Sequence, residues 1–252
     1  MKQRIHLMGT PVDNLTMNET LDIIKCAIER KEHLHHTVVN AGKIVSMHSD
    51  PQLRESVIHA DIINADGQAV VWASKLLGTP LKERVAGIDL MSKLVEFSFE
   101  NGYKIFFLGA RQKVLEELVS RYSLRYSPEI IAGYRNGYFK KEDEKEIARQ
   151  IGDSKAHMLF VAITSPIKEI FLYENRDALK NVNFIMGVGG SFDVVAGYVK
   201  RAPLWMQRLG LEWLFRVYQE PRRMFKRYLV GNLKFIQLLI KYKLSGRSYV
   251  SS

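Results

Sequence analysis

DIINADGQAVVWASKLLG, residues 61–78, is the stretch that decides how this chain folds. Asp61 to Ala65 reads as a strand, and it delivers Asn64-Ala65-Asp66-Gly67 to its C-terminal end. Val70, Val71, Ser74 and Leu77 then follow at helical spacing, and Gly78 stops the helix. A strand that feeds a helix is half of a βαβ unit, so the fold depends on whether the pattern repeats on either side.

It repeats in both directions. Upstream, Thr16 and Glu19 form a capping-box pattern ahead of Leu21, Ile24 and Ile28 at helical spacing. Thr37 to Asn40 is a short buried strand with a helix beginning near Ala41, and Asp50-Pro51 opens another helix. Downstream, Ile88 to Glu100 is helical, Lys104 to Leu108 is a strand, and Gly109-Ala110 leads into a helix through Leu115 and Leu118. Glu129 to Ala132 reads as a strand before the turn from Gly133 to Gly137. Glu142 to Ile151 is a charged helix, His157 to Ile163 a strand and Phe184 to Val188 the last strand. This alternation predicts an α/β fold: a Rossmann-like, mostly parallel sheet with helices on both faces.

Charge divides the chain where the alternation stops. The formal net charge is +10, yet the first 199 residues hold 25 basic and 25 acidic side chains. Residues 200–252 hold the other 12 basic side chains and only Glu212 and Glu220 as acids. Trp205, Trp213, Phe215, Tyr218, Phe225 and Tyr228 are interleaved with these cations. The expected division is an α/β domain over 1–197 and a basic, amphipathic helical appendage over 198–252. Aromatics among cations suit an anionic membrane surface or a phosphate-rich polymer. No helix-turn-helix, RNP or OB-type signature accompanies them, so the reading favours the membrane and no nucleic acid. Leu209, Trp213 and Val217, then Leu233, Ile236, Leu239 and Ile240, recur at helical spacing, which also fits helices packed on the body.

Hydrophobic content of 46% and charged content of 25% are ordinary for a globular protein. The single cysteine, Cys26, rules out an intrachain disulfide and is expected to be buried on a helix face. MKQRIHLMGTP lacks the apolar core of a signal peptide, and no apolar run approaches the roughly eighteen residues of a membrane span. The expectation is a cytoplasmic protein, peripheral on the inner face of the membrane, with a homo-oligomer left open.

In parallel sheets, ligands sit at the carboxyl ends of the strands. Asn40 to Lys43, Asn64 to Gly67 and Gly187 to Ser191 qualify by position. Asp66, a carboxylate followed by a glycine, suits a general base, although spacing alone favours an N-cap of the next helix. Gly187-Val188-Gly189-Gly190 could cradle a diphosphate or be a bare turn. Phe192 stands where a dinucleotide fingerprint needs its third glycine, which argues against a dehydrogenase. His33, His35 and His36 lack a metal-partner pattern and read as solvated surface. No Asp-x-Asp clamp is present, so no metal is expected and any diphosphate falls to Arg and Lys.

These residues carry a resemblance. Asn40-Ala41-x-Lys43, Asn64-Ala65-Asp66-Gly67, Arg84-Val85-Ala86-Gly87-x-Asp89, Asn136-Gly137-Tyr138-Phe139 and Ser165-Pro166-x-x-Glu169 occur in order. Met186 to Asp193, Lys200 to Pro203, Leu209 to Leu214 and Glu220 to Arg223 follow. In this order and spacing the chain resembles the WecG/TagA/CpsF glycosyltransferases, nearest to members that transfer N-acetylmannosaminuronate and next to those that transfer N-acetylmannosamine. The resemblance implies an inverting, metal-independent and cofactor-free enzyme of cell-envelope polysaccharide synthesis. Such an enzyme moves a sugar from a UDP donor to an undecaprenyl-diphosphate-linked sugar, typically GlcNAc. It implies Asp66 as general base. It places Asn40, Lys43, Asn64, Gly67, Arg84, Lys168, Gly187, Gly189 and Gly190 at substrate-binding positions. Arg216, Arg222, Arg223, Lys226 and Arg227 best match the arginines that its C-terminal appendage brings to the diphosphate. Where the family usually has Gln, this chain has Lys168, a side chain able to pair with a phosphate or carboxylate. The alternatives are a UDP-glucose-type hexosyltransferase of exopolysaccharide assembly, or a non-catalytic binding module.

Overall fold

The computed structural model describes residues 3–245; the side chains of Arg223, Met224 and Arg227 are outside that description, so the expectations placed on Arg223 and Arg227 lie outside the described residues. The chain opens with an antiparallel hairpin, β1 (Arg4–Leu7) and β2 (Thr10–Asp13). Six further strands follow: β3 (Leu34–Val39), β4 (Ile62–Ala65), β5 (Ile105–Gly109), β6 (Ile131–Arg135), β7 (Met158–Ala162) and β8 (Phe184–Gly187). They form one sheet in the order β4-β3-β8-β7-β5-β6, every neighbouring pair parallel.

Parallel strands covered on both faces must be apolar on both faces, which is why they read as continuous runs. Leu34, Val38, Ile62, Phe107, Phe160 and Met186 point to one side, under α1 (Met17–Glu29), α5 (Gly87–Asn101) and α6 (Gln112–Arg125). On the other side Val39, Ile63 and Ala65 meet α2 (Ala41–Met47), α3 (Pro51–Ile58) and α4 (Gln68–Leu76). Leu159, Val161 and Ile185 continue that face under α7 (Glu144–Asp153), α8 (Ile167–Glu174) and α9 (Arg176–Leu179). The predicted α/β architecture is the observed one.

Two local readings are corrected. Of the three histidines, His35 and His36 are not solvated surface, because β3 begins at Leu34 and carries them into the core, while His33 before the strand is half-buried. Two of their polar groups are engaged there: the His35 backbone N–H donates to Asp61 Oδ2 at 2.7 Å, and His36 Nε2 lies 2.8 Å from Asn64 Oδ1. Cys26 is only half-buried on α1. The hairpin is absent from the sequence reading. Its turn at Met8-Gly9 takes positive φ at both residues, 50° and 74°, without the Asn-Gly or Asp-Gly pair that usually announces such a turn.

After β8 the short α10 (Ser191–Val195) turns at Gly197, and three helices complete the described chain: α11 (Leu204–Arg208), α12 (Glu212–Gln219) and α13 (Pro221–Leu244). The second half of α13 returns to the body. Phe235 is buried there, with Leu238, Leu239 and Tyr242 packed beside Ile44 and Met47 of α2. Of the stripe read from sequence, Leu239 is packed, whereas Leu233, Ile236 and Ile240 stay exposed.

Candidate active site

Because the strands run in parallel register, their carboxyl ends form a row along one edge of the sheet. Asp66 follows β4, Asn40 follows β3, Gly187 ends β8, and the segment entering α8 follows β7. The helices after β3 and β7 leave on one face, whereas α10, after β8, packs on the other through Phe192. Such a change of side opens a crevice above the strand ends.

Asp66 is held by its backbone, whose N–H donates to Val39 O at 2.8 Å, and by its carboxylate, which accepts from Gly87 N at 3.3 Å. It does not cap α4, whose N-cap is Gly67 with φ of 145°, a conformation open to glycine. Burial raises the Asp66 carboxyl above the usual carboxylate range. Arg84, the Gly87 N–H and Arg216 pull it down, and Glu212 adds to the rise. A base lifted in this way holds a proton more strongly.

Asn64 is fully buried, so it sits below the crevice rather than in it. Thr20 Oγ1 donates to its Oδ1 at 3.3 Å and His36 shares that oxygen, while Asn64 Nδ2 has no hydrogen-bond partner among the described residues. Asn40 is exposed and caps α2, its Oδ1 accepting from Lys43 N at 2.9 Å. Lys43, Lys168 and Glu169 form a buried ionic cluster between α2 and α8, in which both Nζ atoms lie 2.6 Å from Glu169 Oε1. Burial alone would raise Glu169, but the two ammonium groups outweigh it and hold the carboxyl well below its usual range. The Lys168 stem runs over Gly187, where an added Cβ would stand 2.9 Å from Lys168 Cδ.

The appendage reaches over this row. Gly210, with φ of 65°, lies flat on the start of α4, where a Cβ would be 2.8 Å from Gln68 Cβ and 3.2 Å from Trp72. That contact carries α12 to the crevice. Arg216 Nη1 comes within 4.0 Å of a Cβ position on Gly190, in the turn where Gly189 takes φ of 55°. Glu212 pairs with Arg84, and Arg201 makes paired bonds of 2.5 and 2.7 Å to Asp89. Arg222 and Lys226 are exposed on the first turns of α13. No group of three or more His, Cys, Asp or Glu side chains with metal-holding geometry occurs among the described residues.

The site therefore gathers Asp66, Arg84, Arg216 and the Gly187–Gly190 turn, with Asn40 and Lys43 beside them. Sequence reasoning left out Glu169, Asp89, Arg201 and Glu212 as site residues, although each lies in a quoted motif. Only proximity reveals their roles, since the Arg201–Asp89 pair spans 112 positions of chain.

The model of the "Glycosyl transferase WecG/TagA/CpsF family" matches residues 5–249. The chain belongs to the WecG/TagA/CpsF glycosyltransferase family. It is accordingly a glycosyltransferase, and neither a non-catalytic binding module nor a dehydrogenase. Three curated relatives bear the name N-acetylglucosaminyldiphosphoundecaprenol N-acetyl-beta-D-mannosaminyltransferase. The one from Bacillus spizizenii is 36% identical over 77% of this chain and 74% of its own length. The Bacillus subtilis protein is 34% identical over 87% of this chain and 84% of its own. The Staphylococcus aureus protein is 32% identical over 96% and 92%. For a WecG/TagA/CpsF member, a carboxylate lifted by burial beside arginines is a chemically apt centre for transfer to a hydroxyl.

Proposed function

We propose that this enzyme transfers N-acetylmannosamine or its uronate from a UDP donor to undecaprenyl-diphosphate-linked GlcNAc in cell-envelope polysaccharide synthesis. The observation that carries the reading is the Asp66 carboxylate at the end of β4, raised by burial and within electrostatic reach of Arg84 and Arg216. The names of the relatives support the acceptor and, of the two sugars, N-acetylmannosamine.

Asp66 takes the proton as an acceptor hydroxyl oxygen bonds to the donor's anomeric carbon. The bond from that carbon to the UDP oxygen breaks, and the configuration inverts. Arg84, Arg216 and the backbone of the Gly187–Gly190 turn stabilise the charge that gathers on departing UDP, without a metal. Asn40, Lys43, Gly67 and Lys168 shape the donor side, and Asn64 supports Asp66 from below. Arg222 and Lys226 lie where α13 leaves α12 and extend the cationic surface towards a diphosphate.

The division at 197/198 separates the α/β body from an appendage that closes the crevice and rests on the membrane. Among the described residues no helix is long and apolar enough to cross a bilayer. Phe225, Leu229, Leu233, Ile236, Ile240 and Leu244 nevertheless form one exposed stripe at helical spacing along α13. An apolar stripe flanked by cations suits an anionic lipid surface.

The test is a donor screen with UDP-ManNAc, UDP-ManNAcA and UDP-glucose against a short-chain diphosphate-GlcNAc acceptor. One of the first two donors should turn over, and Asp66→Asn should lower the rate by about 10²–10⁴-fold. Turnover with UDP-glucose alone contradicts the donor assignment. Full activity of Asp66→Asn contradicts the base.

A further inference from the structure

The appendage brings an acid to the crevice as well as an arginine. Glu212 is one of two acidic residues after Lys200. It stands in the first turn of α12, and its Oε2 pairs with Arg84 Nη1. Its other oxygen, Oε1, lies 4.0 Å from Arg201 Nε. That nitrogen is buried and has no hydrogen-bond partner among the described residues. Arg201 is itself fixed to Asp89 on α5. The Glu212 carboxylate is thus suspended between two guanidinium groups.

Both guanidiniums are also within electrostatic range of Asp66. Arg84 is its strongest lowering influence, and Arg201 feels the Asp66 charge. Arg84 therefore has two carboxylates in reach, one from the body and one from the appendage. The Nη1 engaged by Glu212 is not engaged by Asp66, whose carboxylate accepts from Gly87 N instead. A carboxylate paired closely with arginine loses basicity, and a general base must keep it.

We infer that Glu212 is a positioning residue that holds Arg84 off Asp66, so that docking of α12 leaves the Asp66 carboxylate available to take the acceptor's proton. The inference rests on the reading of Asp66 as base. It gives the appendage a role in the chemistry distinct from membrane contact: without α12 in place, Arg84 closes onto Asp66 and silences it. The charged and polar groups around Asp66 pull in opposite directions, and Glu212 is the one that opposes the cations. Arg84 from the segment before α5, the Gly87 N–H of α5 and Arg216 of α12 lower it, and Glu212 raises it. Asp89 of α5 is engaged with Arg201.

The test compares Glu212→Gln and Glu212→Asp with the parent enzyme, reading kcat and KM against pH on a soluble acceptor analogue. Asp66 works deprotonated, so activity fails on the acid side as Asp66 gains its proton. Glu212→Gln removes a neighbouring negative charge and frees Arg84, so the acid limb moves down by about 1–3 pH units, the range of an arginine arriving beside a carboxylate. Plateau kcat falls with little change in the donor KM, and Glu212→Asp restores most of both. Adding Arg84→Gln to Glu212→Gln moves the limb back up. An acid limb of Glu212→Gln that stays put or rises overturns the inference, as does a raised KM with an unmoved limb, which marks a mere tether. If Asp66→Asn keeps full turnover, the base assignment fails as well. If Asp66→Asn is inactive while Glu212→Gln keeps the parent limb, only the role of Glu212 fails.

Discussion

His35 is a buried imidazole in a strand end, and its environment has a measurable consequence. Burial holds it down to about 3 from an ordinary 6.5, with His36, His33 and Lys43 acting the same way and Glu169 opposing. The unfolded chain takes a proton near 6.5 that the native state refuses until about 3. Its contribution to stability is therefore complete above 6.5 and is lost as pH falls towards 3, by up to about 1.4 kcal/mol per pH unit. Urea midpoints measured across that window should fall with pH, and His35→Gln should flatten the slope; an unchanged slope removes His35 as the cause. The histidines also show where residue-level reading stops. A histidine-rich stretch looks solvated, and only the packing of β3 into the sheet, with Asp61 taking the His35 backbone N–H and Asn64 meeting the His36 ring, buries His35 and His36. Asp66 was legible as a candidate because its position after a strand is local information. Its surroundings were not, since Gly67 takes the N-cap position and the groups that act on the Asp66 carboxyl, Gly87, Arg84 and Glu212, come from distant segments.

At the scale of elements, α13 carries two apolar stripes with different fates. Phe235, Leu238, Leu239 and Tyr242 lie on the side turned to α2, whereas Leu229, Leu233, Ile236 and Ile240 face away. Phe235→Ala should cost about 3–5 kcal/mol, as truncation of a buried phenylalanine does. Ile236→Ala, one residue on but exposed, should stay within about 0.5 kcal/mol in the same denaturant melt. Equal losses would mean that α13 is seated differently. Helical periodicity announced an amphipathic helix here. It merged Leu239 with Leu233, Ile236 and Ile240, because a spacing rule reports which residues share a stripe only approximately and never which stripe finds a partner.

At the scale of the molecule, the balanced body and the basic tail meet at one edge of the sheet. Replacing Leu229, Leu233, Ile236 and Ile240 together by serine should abolish sedimentation with anionic liposomes while leaving the thermal melt and turnover of a soluble acceptor analogue near the parent's. Raising salt should weaken binding of the parent as its surface charges are screened. Sedimentation that survives the replacement contradicts membrane docking through this stripe. On the proposed reading the appendage has two separable tasks, lipid contact by the exposed stripe of α13 and completion of the crevice by α12, and this pair of assays tells them apart.

The strand–helix alternation, the position of Asp66 and the charge asymmetry were all determined by sequence alone, because burial period, turn chemistry and charge are written locally. The order β4-β3-β8-β7-β5-β6 was decided only in three dimensions. So were the burial of Lys43 with Lys168 and Glu169, and the meeting of Arg84 with Glu212 across 128 positions. Periodicity states that a face is to be covered but not by what; the partner is chosen by packing the whole chain at once, and the charges that surround Asp66 are a product of that choice.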